Sequence, residues 1–68
     1  MYVVFEMVGN ELLGEVQGFT EPLQAYRTAV DRALENGGAL KEVEECLQKD
    51  GYWGMADYSV FVRSVKVS

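Results

Sequence analysis

Glu6, Glu11, Glu15 and Glu21 fall within the first 26 residues, a stretch with no Lys or Arg; the first basic side chain is Arg27. Later, Glu42, Glu45 and Asp50 share part of one helical face. Carboxylates in such numbers have three uses: proton transfer between a paired acid and base, cation ligation, or presentation of charge to a basic partner. Proton transfer needs a pocket that raises one carboxyl pKa, and a chain of 68 residues can hardly build one. Calcium needs alternating oxygen ligands around a central glycine with a distal Glu, and Asp50-Gly51 with Asp57 does not supply that spacing. Charge presentation is the use that remains.

The residues that are missing narrow the chemistry further. With no histidine, Ser-His and Cys-His nucleophiles are impossible, and one cysteine nearly excludes zinc. Gly37-Gly38 lacks the Lys-Ser/Thr of a phosphate loop, and Gly51-Tyr52-Trp53-Gly54 does not fit a dinucleotide fingerprint. No catalytic residue, metal or cofactor is therefore expected. Cys46, next to an inward Leu47 and preceded by Glu44 and Glu45, reads as a small buried hydrophobe rather than a reactive thiol.

The elements that must position the carboxylates follow from periodicity. Residues 2–8 alternate, with Val3, Phe5 and Met7 on one side and Tyr2, Val4, Glu6 and Val8 on the other. Gly9-Asn10 suits a two-residue type II′ turn. Counting from it pairs Val8 with Glu11, Met7 with Leu12, Glu6 with Leu13, Phe5 with Gly14, Val4 with Glu15, Val3 with Val16 and Tyr2 with Gln17. A first helix is expected from a Thr20 N-cap and Pro22 to about Glu35, with Leu23, Tyr26, Val30, Ala33 and Leu34 inward. Asn36-Gly37-Gly38 ends it. A second helix is expected from about Ala39 to Asp50, with Leu40, Val43 and Leu47 inward and Lys41–Glu45 and Glu45–Lys49 at i,i+4 spacing. Residues 52–57 read as a loop, in which Trp53 turns into the core and Tyr52 stays the more exposed. Tyr58 to Val67 reads as a third strand with a bulge at Arg63-Ser64.

The expectation is one α+β domain over residues 1–68, in which a three-stranded antiparallel sheet carries two helices on one face in the order ββααβ. Apolar residues make up 49% of the chain, enough for a packed core, although a small one. A lone cysteine and no signal-like start fit a reducing cytoplasm. No apolar run approaches the ~20 residues needed to span a bilayer.

A formal charge of −5 disfavours direct nucleic-acid binding and anionic membranes, and favours a protein with a basic surface. On the outer face of the expected hairpin Val4, Val8 and Leu13 are interspersed with Glu6, Glu11 and Glu15, a mixture suited to an interface. The partner-binding residues expected on these grounds are Glu6, Glu11, Glu15, Glu21, Glu42, Glu45, Asp50 and Tyr52. In size, acidity and lack of catalytic inventory the chain resembles small phage-encoded inhibitors of bacterial defence of the anti-CRISPR type. That resemblance implies a non-enzymatic inhibitor in a host cytoplasm, occupying a basic surface in competition with nucleic acid. The alternative is a small homodimerising or assembly domain. A monomer is preferred, because a two-fold through the hairpin's outer face would bring Glu6, Glu11 and Glu15 onto their own copies.

Overall fold

The computed structural model describes residues 1–66. Its elements are β1 (Tyr2–Val8), β2 (Glu11–Phe19), α1 (Pro22–Glu35), α2 (Leu40–Asp50), β3 (Tyr52–Met55) and β4 (Tyr58–Ser64). The fold is α+β with both helices on one face, as expected. The sheet has four antiparallel strands in the order β2-β1-β4-β3, so the element order is ββααββ rather than ββααβ. The extra strand is the segment read as a loop. Tyr52 pairs with Phe61 and Met55 with Tyr58, closing a second hairpin through Ala56-Asp57. Its sequence gave no turn signal, because Ala56 takes the positive φ (54°) that Gly usually supplies.

The first hairpin turns at Gly9-Asn10 with Gly9 at φ 60°, and Val8↔Glu11, Met7↔Leu12 and Glu6↔Leu13 pair as counted. The count then fails. Val4 faces Gln17, Val3 faces Gly18 and Tyr2 faces Phe19, with the register shift lying between Val4 and Glu6. Gly14, at φ 71°, lets β2 bulge there. The bulge expected at Arg63-Ser64 does not occur, since β4 pairs with β1 without a shift from Tyr58 to Ser64. Val65 adds one further bond, its N–H donating to the Met1 carbonyl at 2.8 Å. The expected strand end at Val67 lies outside the described residues. The two hairpin tips are also joined, the Gly9 N–H donating to the Asp57 carbonyl at 2.9 Å.

The helices cover the face formed by Tyr2 and Val4 of β1, Tyr58, Val60 and Val62 of β4, and Trp53 of β3. Glu6 shares that face, so the surface read as the outer side of the hairpin is the inner side of the fold. Two strands could not decide this; the other two did, because they place Trp53 and a run of Val on the same side. The core is small and consists of Val4, Ala25, Ala29, Val30, Ala33, Val43, Leu47, Trp53 and Val60. Ala25, Ala29 and Ala33 recur every four residues along α1, so the helix settles close on the sheet. That rotation corrects the expected inward set, for Leu23 and Leu34 lie at the exposed margin, as does Leu40 of α2. The α1 N-cap is Glu21 rather than Thr20 and makes no side-chain capping bond.

Candidate interaction surfaces

Glu6 sits where β1 passes under α1. Its Oε1 lies 3.6 Å from the Arg32 Nε, and its Oε2 accepts the Tyr58 hydroxyl at 2.7 Å. Arg32–Glu6 is the one ion pair within 4 Å among the described residues. Expected as a free anionic group, Glu6 is instead a strut between helix and sheet. Arg63 lies on the opposite face of the sheet from Glu6, because the two have opposite parity in the β1–β4 ladder. The Tyr58 phenol is pushed well above its ordinary pKa, chiefly by burial and then by the hydrogen bond to Glu6 and the charge of that carboxylate. Arg32 acts weakly in the other direction.

Beside this strut a trough of about 430 Å³ opens along the middle of the edge strand β2. Leu13, Glu15 and Gln17 of β2, Val4 and Glu6 of β1 and Arg32 of α1 line it. Glu11 is exposed near the hairpin tip and Glu15 at the bulge, while Glu21 is exposed at the start of α1. Glu42, Glu45 and Asp50 are exposed on α2, which packs over β3. Since β3 and β2 are the two opposite edges of the sheet, Glu11 and Glu15 form a β2 group and Glu42, Glu45 and Asp50 an α2 group, with Glu21 apart at the start of α1 and Glu6 withdrawn from both. The i,i+4 pairs expected on α2 do not close to ion-pair distance, which leaves its carboxylates to solvent. Among the described residues no group of three or more His, Cys, Asp or Glu is placed to hold a metal ion. No helix among them is long and apolar enough to cross a membrane.

The other face of the sheet has no helix on it. Phe5 stacks on Phe61 with ring centroids 4.9 Å apart, and Tyr52 stacks on the other side of Phe61 at 5.5 Å. The Arg63 guanidinium lies over the Phe61 ring, 5.2 Å from its centroid. Val3, Met7 and Leu12 continue the same surface, and Leu12 is 48% exposed. Tyr52 therefore belongs to an apolar face, not to the acidic one with which it was grouped. Sequence reading missed Phe5, Phe61 and Arg63 as surface residues. Their shared odd parity was visible, but which parity faces outward was not.

No protein-family model, curated protein or solved structure matches the chain.

Proposed function

We propose that the protein is a non-enzymatic binding module that presents carboxylates to the basic surface of a nucleic-acid-binding protein and competes there with phosphates. The observation that carries this reading is the separation of charge between the two sides. Apart from Glu6, the carboxylates named above are exposed and unpaired among the described residues, and they stand on the helix layer and the β2 flank. The strands of the open face carry a single charge, Arg63. On that side acids outnumber the exposed cations Arg27, Lys41 and Lys49, and such a net anionic surface attracts a cationic partner at long range and is screened by salt. Inhibition of a nucleic-acid-handling complex, as in the anti-CRISPR-type proteins it resembles, is the specific form proposed. Glu11 and Glu15, together on the edge strand, are the leading contact residues.

The test is capture of partners from bacterial lysate by the immobilised protein at low and high salt, with mass spectrometry of what is retained. The expected result is retention of nucleic-acid-binding proteins that is lost at high salt and lost in the Glu11→Lys/Glu15→Lys variant. Added protein should also release nucleic acid from the purified partner. Retention indifferent to both salt and charge reversal would overturn the reading.

A further inference from the structure

We propose that the open face of the sheet is a two-fold interface between two copies of this chain. This goes beyond the acidic-surface reading and uses the opposite side of the molecule.

The face is arranged in rows that cross the strands. Tyr52 of β3, Phe61 of β4 and Phe5 of β1 are in register and stacked, forming a ridge of three rings. The next row is Gly54, Ser59, Met7 and Leu12, which on β3 and β4 consists of the two small residues Gly54 and Ser59. A ridge beside a shelf on one face is complementary to itself. A two-fold axis laid across the strands at the level of Val60 exchanges the two rows. Tyr52 then covers the partner's Gly54, Phe61 covers the partner's Ser59, and Phe5 meets the partner's Met7. Such a contact is isologous and closes at two copies. Aligned sheets pack ~10 Å apart and rotated by ~30°, which keeps the central rows in contact.

Charge agrees with the same operation. Along β4 the residues of open-face parity are Ser59, Phe61 and Arg63, and the exposed Asp57 stands in the turn just before the strand. Arg63 and Asp57 lie on opposite sides of the axis, each about 10 Å away at ~3.3 Å per residue. The two-fold therefore sets Arg63 opposite the partner's Asp57, and does so twice. The objection to a dimer drawn from the sequence also falls, because Glu6 faces α1, Glu11 pairs with Val8 in the parity of Glu6, and Glu15 lines the trough beside Glu6 and Arg32.

Seven residues of β1 span about 23 Å and four strands about 19 Å, a projected footprint of roughly 440 Å². Counted on both copies this falls at the low end of specific interfaces, so it suits a reversible dimer better than a permanent one. A lipid surface is a poorer occupant, since the face offers one cation on a chain of formal charge −5.

The experiment is sedimentation equilibrium of the isolated full chain from low to high micromolar concentration, with circular dichroism to verify folding of each variant. Wild type should approach twice 7.6 kDa with rising concentration. Ser59→Lys, which fills the shelf, should remain monomeric with an unchanged spectrum. Arg63→Asp should weaken dimerisation roughly tenfold by opposing two acids, and Asp57→Arg/Arg63→Asp should restore it. A wild-type chain of 7.6 kDa throughout would overturn the proposal. So would a dimer indifferent to both Ser59→Lys and Arg63→Asp, or a monomer that binds zwitterionic vesicles through this face. Because no basic partner is present, failure here leaves the acidic-surface reading standing, and the lysate test leaves this one standing.

Discussion

Phe5 and Phe61 face each other across the β1–β4 seam with their rings 4.9 Å apart and 11° from parallel, on the side of the sheet away from both helices. The stack ties the two central strands together where no helix supports them. Replacing Phe5 by Leu keeps the face apolar but removes the ring contact. The expected loss is about 0.5–1.5 kcal/mol, read from the urea midpoint with an unchanged slope.

Tyr58 donates to Glu6 inside the strut that joins α1 to the sheet. Its phenol pKa is raised in the folded state, so the bond contributes fully below the unfolded value of about 10 and is lost as pH rises above it. Wild-type stability should therefore be flat with respect to this group near neutrality and fall in alkali. Tyr58→Phe should cost about 1 kcal/mol at pH 7 and remove much of the alkaline decline. Chemical denaturation at a series of pH values checks both. An alkaline decline unchanged in the variant would show that Tyr58 is not its source.

Gly38 lies where the chain passes from α1 to α2 over Trp53. A Cβ there would lie 2.6 Å from the Val43 Cγ2, 3.0 Å from the Ala33 carbonyl oxygen and 3.0 Å from the Trp53 Cζ2. Val43 and Trp53 are core residues and the third atom is backbone, so none yields cheaply. Gly38→Ala should destabilise by about 1–3 kcal/mol, with altered Trp fluorescence in the native state.

Ala56 holds φ at 54° in the β3–β4 turn. An L-residue pays about 1–2 kcal/mol for that region, whereas glycine gives back about 0.5–1 kcal/mol through the unfolded chain. Ala56→Gly should therefore raise stability, by about 0.5 kcal/mol, and thermal melting should register a higher midpoint. A lower midpoint would mean that the turn relaxes around alanine without strain.

The parts of this molecule legible in its sequence are those fixed by neighbours along the chain. The first hairpin and its turn and both helices with their stop signals follow from alternation, helical spacing and the conformational needs of Gly and Pro, while the burial of Trp53 and the exposure of Tyr52 follow from side-chain type. So does the acidity of the surface as a whole. What the sequence did not disclose depends on contacts between distant segments. A short strand at Tyr52–Met55 with an alanine in its turn has no local signature, and it forms because Phe61 and Val60 offer partners for its backbone. The shift at Gly14 moves every later pair in β2, although the strand's alternation looks unbroken when read alone.

The choice of face was the largest decision left to tertiary structure. A strand pattern states which residues lie together, never which side meets the helices. Here Trp53, the valines of β4 and an alanine stripe on α1 settled it jointly. That choice drew Glu6 into a strut with Arg32 and Tyr58, and left Phe5, Phe61 and Tyr52 uncovered. Composition by itself determined that this is an acidic chain with no histidine and a single cysteine. Only the packed layers decided where the acid stands and which apolar surface remains open, because burial belongs to pairs of elements and not to either one.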